Sequence, residues 1–209
     1  VSAAKKEVSG DIGIEAMTAG PSEVLIVADK SSNPEWLASD LLGQAEHDQL
    51  AQCILISKDK NILEKTKKEV FEQLKNLPRS SIAKKSLMMN GILIYANSDK
   101  KIIEITNKIG PEHLELNVKN YKSFVAKIKN AGSVCLGKYA VMAMTDYGAP
   151  GSNHVLPTDS SSKYSSGLNV SEFMKKISYI TLSKKGIDKL GPSVITLANY
   201  EGLQGHAQS

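Results

Sequence analysis

Four histidines punctuate this chain of 209 residues, and each falls in a polar, turn-flanked cluster: Gln44-Ala-Glu-His47, Pro111-Glu-His-Leu-Glu115, Ser152-Asn-His154 and Glu201-Gly-Leu-Gln-Gly-His206. Three of the four have a carboxylate close by in sequence. Glu112 beside His113 is suited to acid–base work, because burial raises a carboxyl pKa and a nearby carboxylate raises that of an imidazole. Gln44 and His47 are three residues apart at the end of a predicted helix, so both project to one face and could chelate a metal. Asp146 and His154 flank Tyr-Gly-Ala-Pro-Gly-Ser-Asn, a stretch whose Gly148, Pro150 and Gly151 force turns. A loop of polar groups held by a scaffold is how many sites are built. Gln44, His47, Asp146 and His206 together would make a nitrogen and oxygen ligand set appropriate to Zn²⁺ or a similar divalent ion, with no thiolate involved.

Each cluster also has a plainer reading. Gln44 and His47 could cap or pack a helix end, Glu112 and His113 could be structural, and the 146–158 stretch could be a turn with an exposed histidine. The elements that must position these residues decide how much weight the chemical reading carries.

Val24-Leu-Ile-Val-Ala28 is a continuous apolar run of the kind found in parallel strands covered on both faces. Asn33-Pro34-Glu35 is a helix start, and the helix is predicted to run to about His47 with Trp36, Leu37, Leu41 and Ala45 as its apolar stripe. Further strands are predicted at Cys53–Ser57, Gly91–Ala96, Leu114–Val118 and Ser133–Leu136. Helices are predicted at Ile62–Leu77, Ser80–Met89, Asp99–Ile109 and Tyr121–Ala131. This alternation predicts an α/β fold, a Rossmann-like layered and mostly parallel sheet with helices on both faces. After the serine-rich stretch from Asp159 a short helix is expected at Ser171–Ile177, a strand-like run at Tyr179–Leu182 and a mainly helical end over Lys184–Leu203. The organisation expected is 1–20 as the end of a preceding region, 21–158 as the α/β domain carrying the site, and 159–209 as a small, mainly helical C-terminal tail.

Composition narrows the class. With 41% hydrophobic and 23% charged residues the chain is an ordinary globular one, and no apolar run approaches the length of a membrane span. Cytoplasm is the expected location. The net charge of +4 comes almost wholly from scattered lysines, Arg79 being the single arginine, and aromatic residues make up only 5%. A nucleic-acid surface would want clustered arginine and stacking rings, so no such partner is expected. Cys53 and Cys135 sit in strand-like runs and are expected as buried thiols. Val1 opens a helix with no initiator Met and no cap, which suggests a chain cut from something longer.

The motifs as a set resemble the histidinol dehydrogenase family. Ala19-Gly-Pro-Ser-Glu-Val-Leu-Ile-Val-Ala28 and Ala38-Ser-Asp-Leu-Leu-Gly-Gln-Ala-Glu-His47 look like the family's long signature. Pro111-Glu-His-Leu-Glu115, Asn153-His-Val-Leu-Pro-Thr158, Tyr164-Ser-Ser-Gly-Leu168, Phe173-Met-Lys-Lys-Ile-Ser178 and Glu201-Gly-Leu-Gln-Gly-His206 follow in family order. The resemblance implies a zinc-dependent, NAD-linked enzyme that oxidises L-histidinol to L-histidine in two steps through L-histidinal, the last stage of histidine biosynthesis. It implies that Gln44, His47, Asp146 and His206 hold one zinc per site and, through it, substrate. His113 would take the hydroxyl proton, Glu112 would activate the hydrating water, and Ser22, His154 and Glu201 would line the substrate site. It also implies a homodimer whose C-terminal tail, with His206, completes the partner's site.

Departures from the family pattern are an extra residue between Asp146 and His154, Glu15 in place of Asp, and Gly43 in place of Ser or Ala. Family members are about twice as long, and their nicotinamide-binding residues lie upstream, ending in a Gly-Pro-Gly-Asn turn just before the part that Val1 begins. No Gly-x-Gly-x-x-Gly replaces them here. The chain therefore reads as the C-terminal portion of such an enzyme, inactive alone and with the NAD site mostly outside it. The rival is a non-catalytic α/β fragment that binds zinc or an imidazole ligand, or that only dimerises.

Overall fold

Residues 2–14, 20–148 and 153–209 are described in the computed structural model on which the following sections rest. The chain divides into two compact units, residues 1–173 and residues 174–209.

In the first unit every strand is followed by a helix or turn that returns the chain to the same end of the sheet. A short helix, α1 (Ser2–Val8), precedes β1 (Glu23–Ala28), α2 (Pro34–Ala45), β2 (Gln52–Ser57), α3 (Lys60–Leu74), α4 (Ser80–Asn90), β3 (Gly91–Tyr95), α5 (Asp99–Ile109), β4 (His113–Asn117), α6 (Lys122–Val125), β5 (Ser133–Leu136) and α7 (Met142–Tyr147). All strand pairs are parallel, in the order β3-β2-β1-β4-β5. That order turns round at β1, the strand from which a doubly wound sheet grows in both directions.

The apolar runs are explained by cover on both faces. Val24, Ile26, Ala28, Cys53 and Leu55 face Leu37, Ala38, Leu41, Leu42, Ala45, Ile62, Leu63 and Val70 of α2 and α3. Leu25, Val27, Ile54, Ile56, Leu114 and Leu116 face Ile102 and Phe124 on the other side. Helix starts are fixed by side chains that satisfy the first free N–H groups: Asn33 accepts from Glu35, Asp59 from Asn61 and Ser98 from Lys101. Gly110 ends α5 at φ 61°, where a Cβ would lie 2.9 Å from Ser162 Oγ.

The expected α/β class and parallel sheet are present, with local differences. Trp36 is 44% exposed, and the buried stripe of α2 is Leu37, Ala38, Leu41, Leu42 and Ala45. The helix expected over Tyr121–Ala131 is a single turn. Asn107 replaces the rest of it, accepting from Lys129 N at 2.7 Å and donating to Lys127 O at 2.9 Å, so the backbone is satisfied without helical bonds. Asp146 lies on helix α7, not in the loop; Glu15 and loop residues 149–152 fall outside the described residues.

In the second unit the run Tyr179–Leu182 forms no strand and is exposed, and the short helix expected at Ser171–Ile177 is only a 3-10 turn, Val170–Phe173, before the unit begins. Four apolar residues have no sheet to join there. Helix α8 (Lys184–Tyr200) and the short α9 (Gln204–Gln208) follow. Ile187, Leu190, Val194 and Leu197 repeat at helical spacing along α8, and all are at least half exposed.

Leu114 is fully buried in β4, between the strands that carry the chemistry-bearing residues. Leu114→Ala is expected to lower the stability of the first unit by about 2–5 kcal/mol, read from the midpoint of urea unfolding followed by circular dichroism.

A candidate acid–base site at the amino edge of the sheet

The chemistry-bearing residues of the first unit gather at one edge of the sheet, and parallel register is the reason. Val24 pairs with His113 and His113 with Ser133, so Ser22, Glu112 and Ser133 stand side by side where β1, β4 and β5 begin. Helix α2, leaving the far end of β1, runs back and delivers Gln44 and His47 to the same amino edge. The last turn of α7 delivers Asp146. Ligands of doubly wound folds ordinarily sit outside the carboxyl ends of the strands. Here the carboxyl edge at the β1/β4 turning point holds a cavity of about 410 Å³ lined by Ser31, Asn117, Lys119, Tyr121 and Lys138. Next to it the Asp29 carboxylate takes the N–H groups of Ser31 and Lys119, at 2.8 and 2.9 Å, the place a dinucleotide phosphate takes in other sheets of this kind.

At the amino edge, Glu112 and His113 are both buried, with His113 Nε2 3.7 Å from Glu112 Oε1. Ser133 Oγ lies 3.1 Å from His113 Nδ1 and fixes the ring. The Ser22 hydroxyl bonds the Glu112 carboxyl, while Glu112 Oε2 is buried without a hydrogen-bond partner. Burial, followed by the charges of Glu23 and Asp146, pushes the Glu112 carboxyl up to about 7. Burial likewise lowers the His113 pKa, with His47 and His154 adding to the effect against the pull of Asp146. Near neutrality the pair is thus a neutral imidazole beside a carboxyl that holds its proton about half the time. One can accept a proton and the other can accept or give one.

Asp146 Oδ1 lies 3.6 Å from His154 Nδ1, with the carboxylate nearly buried and the ring largely exposed. Gln44 is buried and His47 exposed at the end of α2, where a helix's negative end favours a cation. Among the described residues no three His, Cys, Asp or Glu side chains are grouped so that they could hold a metal ion. Gln44, His47 and Asp146 nevertheless supply an amide, an imidazole and a carboxylate from one edge. That donor chemistry fits a borderline divalent ion needing a further ligand. Glu201, capping the end of α8, and His206, on α9, belong to the second unit and are exposed.

Sequence reasoning left Glu23 without a role. It is 1% exposed, and its two oxygens accept from Glu112 N at 3.2 Å and Ser160 N at 3.0 Å, so it ties β4 and the segment after the loop to the start of β1. Asp159 and Ser160 adopt left-handed φ angles of 53° and 59° to make that contact. Ser133, Asp40 and Glu115 were also missed. The available signal was phase: Glu115 stands between two core leucines of β4, and Glu23 opens an otherwise apolar strand.

The histidinol dehydrogenase family model matches residues 1–209. A protein of Pelagibacter ubique called histidinol dehydrogenase is 74% identical over all of this chain, which covers 49% of that protein. One of Listeria monocytogenes with the same name is 46% identical over the whole chain, covering 48% of it. The crystal structure of histidinol dehydrogenase from Elizabethkingia anophelis superposes with a TM-score of 0.93 at 42% identity, over 99% of this chain and 47% of that one. The chain thus spans about half the length of these relatives.

Because the folded-state pKa of Glu112 is about 7 and an unfolded glutamate titrates near 4.5, the native state binds the extra proton between those values, and stability falls as pH rises through that window. Glu112→Gln removes that slope. The variant is expected to gain on the order of 1–3 kcal/mol relative to the wild type on moving from acid to mildly alkaline pH, measured by urea unfolding at both.

Proposed function

The chain belongs to the histidinol dehydrogenase family, and on that premise we propose that it is the part of such an enzyme carrying the acid–base residues and most of the metal and substrate ligands. The reaction proposed is the two-step, NAD-linked oxidation of L-histidinol to L-histidine through L-histidinal, in the cytoplasm. The observation that carries this reading is the buried Glu112–His113 pair, with one carboxylate oxygen left free, beside Asp146 and His154.

The roles follow from the protonation states. His113, held neutral by burial and oriented by Ser133, would take the hydroxyl proton of the alcohol, with a bound nicotinamide supplying the hydride acceptor. Glu112, poised near 7, would take a proton from the water that adds to the aldehyde, giving the hydrate that a second nicotinamide would oxidise. Ser22 holds the Glu112 carboxyl and, with His154 and Glu201, lines the substrate site. Gln44, His47, Asp146 and His206 hold one zinc ion. When bound, zinc would supply a positive centre to hold and orient the substrate.

The donors in the first unit are one short of the four a zinc site needs, which supports His206 as the completing ligand, supplied by the tail of a partner subunit in a homodimer. The exposed apolar stripe of α8 supports a tail, 159–209, that forms that dimer, with 21–158 as the site-bearing domain and 1–20 as the end of the NAD-side region. The nicotinamide site is proposed to lie mostly outside this chain, which makes the chain inactive alone.

The test is the reduction of NAD by L-histidinol with zinc present, followed by absorbance. This chain alone is expected to show none, and the same sequence in a chain of the relatives' full length is expected to turn over. Absence of turnover in the longer chain would overturn the proposed reaction. In that longer chain His113→Asn is expected to lower kcat by about 10²–10⁴-fold with a smaller change in KM. Glu112→Gln is expected to spare the first oxidation and to stop the second, shown by histidinal accumulating without histidine.

A further inference from the structure

Behind the acid–base pair lies a second pair of acids that the proposed reaction does not use. Glu115 is 1% exposed on β4, two residues along from His113 and on the same face of the sheet. Its Oε1 accepts the N–H of Met142, the first residue of α7, at 2.8 Å; the residue before that helix offers no side-chain cap. Its carboxyl also meets that of Asp40 of α2, one turn before Gln44, in a side-chain contact between the two acids. Asp40 Oδ2 and Glu115 Oε2 are both buried, and neither has a hydrogen-bond donor from the rest of the protein. Two carboxylates can meet in this way only if one proton lies between them.

The contact therefore joins three elements: α2, which ends in Gln44 and His47; β4, which begins with His113 next to Glu112; and α7, which ends near Asp146. The Met142 side chain lies over Gly43, so α7 rests on α2 at the same point. We propose that the Asp40–Glu115 pair, sharing one proton, is the strut that sets the mutual positions of the residues at the amino edge, each of the two acting as a positioning residue. This deepens the function proposed above and rests on its reading of Glu112, His113 and Asp146 as the site.

The surroundings keep the proton in place. Across the sheet from Glu115 on β5 is Cys135, whose thiol burial pushes up to about 12 and which stays uncharged. On β1 the neighbour is Ile26. Among the described residues the charges acting here are anions: Asp40 on Glu115, and Glu115, Asp40 and Asp146 on Cys135. The Glu115 carboxyl is accordingly raised, by burial first and Asp40 second, to about 8, and Asp40, by burial, to about 6.

The test reads the imidazole NMR signals of His113 and His154 in this chain across pH, with no metal and no turnover, so its failure is separable from failure of the proposed reaction. In the wild type the His113 signal is expected to move with a midpoint near 8, as the shared proton leaves, in addition to the step near 7 that adjacent Glu112 contributes. In Glu115→Gln the amide donates to Asp40 and still accepts from Met142. The step near 8 should vanish, the step near 7 should stay, and both rings should keep their wild-type positions at lower pH. In Glu115→Ala both ring signals should be displaced at every pH while the core methyl signals of β1 report a folded sheet. Persistence of the step near 8 in Glu115→Gln, or unmoved rings in a folded Glu115→Ala, would overturn the proposal. Should Glu115→Ala not fold, the isosteric variant decides alone.

Discussion

Parallel register is the constraint on which everything else depends. Once Val24 is level with His113, and His113 with Ser133, the amino ends of three strands are fixed beside one another. A slip of one residue would send His113 and Glu115 to the opposite face and bring Leu114 out of the core. The apolar residues of β1 and β2, buried on both faces, forbid that slip. The site's geometry is thus a by-product of hydrophobic packing elsewhere in the sheet.

What that packing costs is visible in the carboxyl groups. Glu23, Glu112 and Glu115 are all buried at or near one edge, and each has its pKa raised by burial first of all. Among the described residues no lysine or arginine is a leading influence on any of the three. Glu23 is answered by backbone N–H groups, Glu115 by a backbone N–H and another acid, and Glu112 by a serine and a neighbouring ring. Hydrogen bonding in place of ion pairing leaves Glu112 and Glu115 able to exchange protons near neutrality, whereas a guanidinium partner would hold them ionised. Stability is given up for reactivity at this edge.

The sheet was legible because its signals are local: β1 and β2 are unbroken apolar runs, and Asn33-Pro34 and Ser98-Asp99 are helix starts written in consecutive residues. Glu112, His113, Asp146 and His154 were legible as chemistry-bearing types, and as motifs that resemble a known family. Three things were not. The turn at 126–131 depends on Asn107, some twenty residues away. The role of Glu23 depends on Glu112 and Ser160, which only the fold brings near. The Asp40–Glu115 contact joins residues 75 apart. Each is a tertiary hydrogen bond, and spacing in sequence carries no information about such a bond.

The other end of the sheet has a different consequence. Strand β3, Gly91–Tyr95, is paired on one side only, and Ile92, Leu93 and Tyr95 are 40 to 51% exposed along it. It contains neither proline nor charge, and Lys60 lies over the Tyr95 ring at 4.8 Å. Such a border has a free row of backbone donors and acceptors and no device to refuse a visitor. These five residues, on the far side of the sheet from β4 and β5, are therefore one place, besides the exposed stripe of α8, where molecules of this chain can add to one another as their concentration rises.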